Sequence, residues 1–251
     1  MHNQSEVPCV ITDDAALSSE QKLWLISLSG HLSMQNGYSL NTLKHHNKNY
    51  TDESVANGNL SILDNAYGVT TKEELIETLN VFYNTSNSQV FMSCMAELTR
   101  NDLLARYYIE NKSTAYQNTP IGIMSDWAGI HKFSLARCGI RAFDIGRYAF
   151  LCRCAVSVNF LTEEEAWHYL KPIGKLAQTL FISWQEYATS YVVGRCIWQK
   201  ITTQETYSEP NPDFNFSHDL FEKINDTATT LQSILADDEH PWCQLDWEMY
   251  F

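Results

Sequence analysis

One stretch constrains this chain more than any other. From Ala142 to Val158 the residues are almost all apolar, interrupted only by Asp144, Arg147, Arg153 and small polar positions. A helix that is hydrophobic nearly all round cannot sit on a surface, so a segment of about 140–159 predicts a buried central helix around which others must pack. The same stretch is too broken by charge to be the roughly 18–20 uninterrupted apolar residues of a membrane span, and no other stretch comes nearer.

The neighbouring helices announce their starts. A Ser or Thr followed three residues later by Glu or Gln can satisfy two orphan backbone amides at once. Four such boxes stand before apolar-periodic runs: Ser18 with Gln21, Thr71 with Glu74, Thr162 with Glu165, and Ser183 with Glu186. They predict helices over 19–35, from 71 to about 84, over 162–181 and over 183–201. Further helices are read over 88–111 (whole or broken near Asn101), 121–138 and 217–236, with a short lead at 60–66. Residues 38–59 read as a long solvated loop with at most one helical turn, and 202–216, with Pro210 and Pro212, as a surface loop. No run alternates with the period of two that marks a strand. The expectation is an all-α chain of about seven to nine helices, divided into 1–59 (helix and polar loop) and 60–251, the two forming one structural unit.

With 44% apolar residues the chain can build a substantial core without staples, and its seven cysteines are an odd number in apolar surroundings. Reduced thiols are expected, with Cys152 and Cys154 as core packing rather than ligands. The N-terminus carries no basic region followed by an apolar one, so no secretory signal is read and the expected compartment is the cytoplasm.

The net charge of −13 is unevenly placed. Residues 201–251 hold eleven acids against one base, Lys223, whereas residues 101–200 hold eight against eleven. An acidic surface repels phosphates and lipid headgroups and draws basic partners. Nucleic acid and membrane are therefore disfavoured, and a basic protein partner is expected.

No phosphate loop, nucleophile elbow, HExxH or CxxC pattern occurs, so no catalytic residue, metal ligand or cofactor is assigned. The adjacent pair His45 and His46 lacks further ligands nearby in sequence. Glu163, Glu164 and Glu165 fit the first turn of a capped helix. Arg141, Asp144, Arg147 and Arg195 leave two readings open: an ion network that fixes helix register, or a pocket in which Arg147 and Arg195 hold an anion and Asp144 orients them. Gly146 and Gly194, each beside one of these arginines, predict a close helix–helix approach.

Several motifs together resemble one family. RAFDIGR at 141–147, LTEEEAW at 161–167, SWQEY at 183–187 and SYVVGRCIW at 190–198 are similar to a bacterial domain-of-unknown-function family of the YbeU and YbeR type. The likeness reaches upstream to AYGVTTKEEL at 66–75 and downstream to HPWCQLDW at 240–247, where His240 replaces the family's usual serine. The resemblance implies a bacterial origin and transfers no activity. Domains of this kind look similar to members of bacterial conflict loci, in which small acidic cytosolic proteins neutralise delivered toxins. The expectation is a non-catalytic interaction protein, an immunity protein against a basic toxin domain, binding through Asp237, Asp238, Glu239, Trp242 and Asp246. The alternative is an uncharacterised enzyme or a small-anion sensor at Asp144, Arg147 and Arg195.

Overall fold

The computed structural model describes residues 17–84, 87–100, 119–206 and 216–251. The expectations for the N-terminal sixteen residues, Cys9, the apolar run Leu103 to Tyr108, and Pro210 with Pro212 lie outside the described residues. Every described element is helical: α1 Ser19–Ser27, α2 Gly30–Gln35, α3 Asp52–Tyr67, α4 Lys72–Asn84, α5 Asn87–Arg100, α6 Pro120–His131, α7 Arg141–Ser157, α8 Glu163–Leu180, α9 Trp184–Thr206, α10 Phe216–Ala236 and α11 Pro241–Gln244. None is long and apolar enough to cross a membrane. The helices fall into two compact units. Of the described residues, the first is built from those before 87 with Asp144–Trp184 and Ile234–Phe251, the second from those within 87–143 and 185–233.

The capping boxes act as their chemistry requires. Ser18 and Thr162 each accept from the amide three residues on, while the Gln21 and Glu165 side chains accept from the capping residues' own amides. At α4, Glu74 accepts from the amides of Thr70 and Thr71, and Thr71 returns the bond to the Glu74 amide.

Four boundaries differ from expectation. The helix read over 19–35 divides into α1 and α2, because the hydroxyls of Ser27 and Ser29 bond to the carbonyls of Leu23 and Ile26 and loosen the ladder there. The loop read over 38–59 ends at Thr51, whose hydroxyl caps α3 with Asp52 and Glu53 in its first turn. A division at residue 59 therefore falls inside a helix, and residues 52–59 of the expected loop are helical. That helix stops at Gly68 (φ 65°), where the amides of Gly68 and Val69 bond back to Asp64 and Leu63. The helix read over 121–138 ends at His131, and turns lead from there to a left-handed Gly139. At its far end α9 continues to Thr206, past the expected stop at 201.

The first unit is organised by a buried cation. Arg153, in the middle of α7, is wholly buried and has no carboxylate partner among the described residues. Its Nε donates to the Leu43 carbonyl (3.2 Å), Nη1 to the hydroxyls of Ser29 (3.0 Å) and Ser33 (2.5 Å), and Nη2 to the carbonyls of Ser39 and Thr42 (3.1 Å to the latter). Helix α2 and the segment 39–46 are thus bound to α7 through one side chain. Burial pushes the guanidinium down to about 9, so it is charged at neutral pH. The segment expected to be solvated is instead half interior: Leu43, His45 and Asn47 face in, while Thr42, Lys44 and His46 alternate outward. His45 stacks on Tyr38 (4.2 Å between ring centroids), bonds through Nδ1 to Asn59 Oδ1 (2.9 Å), and its amide donates to Ser157 Oγ (2.9 Å).

The second bond within this unit is aromatic. Trp24, Trp184, Trp242 and Trp247 are all buried, and each indole N–H reaches a carbonyl: Asp246, Leu245, Ser27 and Phe181 respectively, at 2.7–3.2 Å. Trp24 lies 5.2 Å from Trp184 and 5.1 Å from Trp247. The C-terminal segment is thereby fixed to α1 and α8 without leaving a buried donor unmade. His240, standing where the family resemblance expects serine, does serine's work: Nδ1 accepts from the Trp242 amide (3.1 Å) and caps α11.

In the second unit α5 packs on α6. The close approach expected at Gly194 is present, for a Cβ there would stand 2.7 Å from Phe143 Cβ and 3.1 Å from the Ile140 carbonyl oxygen. Ser190 joins the same contact, donating to the Gly139 carbonyl (2.8 Å) and accepting from the Ala142 amide (3.2 Å).

Two measurements check these assignments. Arg153→Lys keeps the charge but supplies three donors where five acceptors wait, and is expected to lower stability by about 2–4 kcal/mol in urea unfolding, since buried polar groups are left unmade. The second concerns pH. Burial lowers His240 from 6.5 to about 4 and His45 well below 6.5. The unfolded chain binds these protons as pH falls through 6.5 and the folded chain refuses them, so stability is full above 6.5 and declines below it. The urea midpoint is expected to fall between pH 6.5 and 5, above the range where most carboxylates titrate, and His240→Ser, which keeps a cap, is expected to flatten that decline.

Candidate functional site

The residues singled out from sequence fall in three places. Asp144 and Arg147 lie in the first unit and form the expected i,i+3 ion pair, with Asp144 almost fully buried. The Arg147 guanidinium also stands over the Phe82 ring, 4.3 Å from its centroid. A guanidinium held by a carboxylate and an aromatic face is a packing element of α7 against α4. Arg141, the first residue of α7, is half-buried and belongs to the second unit.

Arg195 lies in the second unit, buried, with Nε donating to Thr227 Oγ1 (3.2 Å). Gln199 donates to the same hydroxyl (3.1 Å) and to the Lys223 carbonyl (3.1 Å), and Lys223 Nζ reaches Thr203 Oγ1 (3.1 Å). This network joins α9 to α10. Each arginine makes contacts that tie helices within its own unit.

The C-terminal residues divide by exposure. Asp237, Asp238, Glu239 and Asp246 are exposed. Trp242, expected to anchor a partner, is 4% exposed, stacked on Trp184 (5.7 Å, 15° between planes) and bonded to Ser27. It is corrected to a core residue: a large ring with one donor is worth more in the interior than on the rim. What remains is a set of carboxylates on a firm base. Asp237 Oδ1 accepts from the Glu239 amide (3.0 Å), and the Asp237 carbonyl from the His240 amide (2.9 Å), so the acidic turn has a defined shape.

A cleft of about 500 Å³ in the first unit was not anticipated. One wall is the face of α1 carrying Lys22, another is Thr42–His46 with Asp52, and a third is the start of α8 with Glu163 and Trp167. Lys22 Nζ stands 5.6 Å from the Trp167 ring centre. Asp52 has Lys44 Nζ and His46 Nδ1 each at 3.8 Å. Only the juxtaposition of Lys44, His45 and His46 was visible in sequence. The partners on α1 and α8 come from more than a hundred residues apart, and no local pattern announces them.

The four buried cysteines of the described residues offer no reactive centre. Cys138 and Cys196 are pushed up to about 11 by burial, Cys152 and Cys154 higher still for the same reason, and a thiol so placed is inert. No group of three His, Cys, Asp or Glu side chains among the described residues is arranged to hold a metal ion.

Two relatives are similar over part of the chain. The uncharacterized protein YbeU of Escherichia coli K12 is 26% identical over 110 residues, 44% of this chain and 45% of YbeU. The uncharacterized protein YbeR of the same organism is 37% identical over 70 residues, 26% of this chain and 30% of YbeR. The chain thus matches less than half the length of either relative. No solved structure matches. Residues 62–247 match the model of the family described as "Protein of unknown function (DUF1266)", and a match over that much of the chain makes this protein a member of the DUF1266 family.

Proposed function

We propose that the chain is a non-catalytic interaction protein, an immunity protein that binds and neutralises a basic toxin domain. The observation that carries this reading is the exposed acidic set Asp237, Asp238, Glu239 and Asp246, mounted on a segment whose backbone carbonyls are held by buried indoles. A rigid base lowers the ordering cost of binding, and a concentrated negative field speeds encounter with a basic partner. The uneven charge of the chain supports the same direction, with eleven acids against one base over residues 201–251. Trp242 serves the surface indirectly, by fixing the segment from beneath.

The test uses the product of the gene adjacent to this one, expressed in cells with and without the chain. Protection of growth and a stable complex between the purified proteins are expected. Neutralising the four acids together (Asp237→Asn, Asp238→Asn, Glu239→Gln, Asp246→Asn) should slow association about tenfold or more at low salt and flatten its salt dependence, with little change in thermal midpoint. Protection with an unchanged association rate in that variant would remove the acidic surface from the account. Absence of both protection and complex would overturn the immunity reading.

A further inference from the structure

The cleft between α1, the segment 42–46 and the start of α8 has a built-in preference that its side chains alone do not reveal. Two consecutive carbonyls, those of Thr42 and Leu43, both point at the Arg153 guanidinium. The described peptide bonds are all trans, and in a trans peptide the N–H lies opposite the C=O of the same plane. The amides of Leu43 and Lys44 are therefore turned away from the guanidinium, and both residues line the cleft. Neither amide donates to an acceptor among the described residues, whereas the next amide, that of His45, is taken by Ser157 Oγ. Leu43 is 4% exposed and lines the cleft, so its undonated amide is sheltered from bulk water.

Successive backbone N–H groups aimed into a concavity form an anion-binding nest. Charge reinforces it here. Lys44 belongs to the nest, Lys22 reaches in from α1, and the buried Arg153 cation stands directly behind the two peptides. Asp52 and Glu163 on the rim oppose an anion, but Asp52 already has Lys44 and His46 beside it. Trp167 offers a flat face next to Lys22.

We propose that this cleft binds the oxyanion of a small molecule, a phosphate or a carboxylate, with the Leu43 and Lys44 amides and the Lys22 and Lys44 ammonium groups as its donors. The rim carboxylates exclude polyanions such as nucleic acid, and the cleft volume suits a metabolite-sized ligand. The site is separate from the acidic C-terminal surface, and either can stand without the other.

The experiment is a ¹H–¹⁵N titration of the full chain with inorganic phosphate, with acetate, and with chloride at matched ionic strength. Saturable shifts of the Leu43 and Lys44 amides are expected with phosphate or acetate and not with chloride. A response to phosphate alone, to acetate alone or to both identifies which oxyanion the site takes. Lys22→Gln with Lys44→Gln, both at exposed or half-buried side chains, should weaken binding about tenfold without unfolding the chain, and Asp52→Asn should tighten it severalfold. Shifts that are unsaturated, equal in chloride, or indifferent to all three substitutions would overturn the proposal.

Discussion

Arg153 is an arginine placed where arginines are least tolerated, at the centre of the most apolar helix of the chain and with no carboxylate among the described residues to pair it. Leaving such a charge unsolvated would cost several kcal/mol. It is tolerated because the surrounding chain acts as its solvent: three main-chain carbonyls and two serine hydroxyls take the places of water. That requirement shapes everything near it. Helix α2 must bring Ser29 and Ser33 to the guanidinium, which accounts for the break after α1. The segment 39–46 must turn the carbonyls of Ser39, Thr42 and Leu43 inward, and by the geometry of the peptide bond the amides of Leu43 and Lys44 then point away from the guanidinium.

The tryptophan cluster plays a complementary part at the far end of the sequence. Its rings bury large apolar area, while their N–H groups reach the C-terminal backbone, so packing and hydrogen bonding fix the same segment. The exposed acids of that segment and the cleft behind the Arg153 loop are thus both consequences of how buried donors find acceptors. Each potential binding surface rests on a polar interaction hidden beneath it.

Much of this architecture was legible in sequence, because its signals are local. The apolar run announced α7, and the boxes at Ser18, Thr71 and Thr162 announced helix starts, since a cap and its partner lie three residues apart. Gly194 announced a close approach. The failures are non-local. The start of α3 is obscured because Thr51 is followed at the third position by Ser54, which cannot complete a box, and because the polar residues of its first half, Asn59 among them, read as loop until the partnership of Asn59 with His45 is known. Trp242 looked like an anchor among acids, and only the position of Ser27 and Trp184 shows it to be interior. Arg153 reads in sequence as an interruption of the apolar run; its meaning depends on serines and carbonyls more than a hundred residues upstream.

The central claim is that a fully charged guanidinium, solvated only by protein, holds the segment 39–46 in place. Hydrogen exchange of the Arg153 Nε–H, followed by NMR at pH 7–8, tests it most directly. A resolved resonance is predicted, exchanging orders of magnitude more slowly than those of exposed arginines and as slowly as the amides of α7. An Nε–H that exchanges as fast as those of surface arginines would mean that water reaches the guanidinium, and would contradict the account.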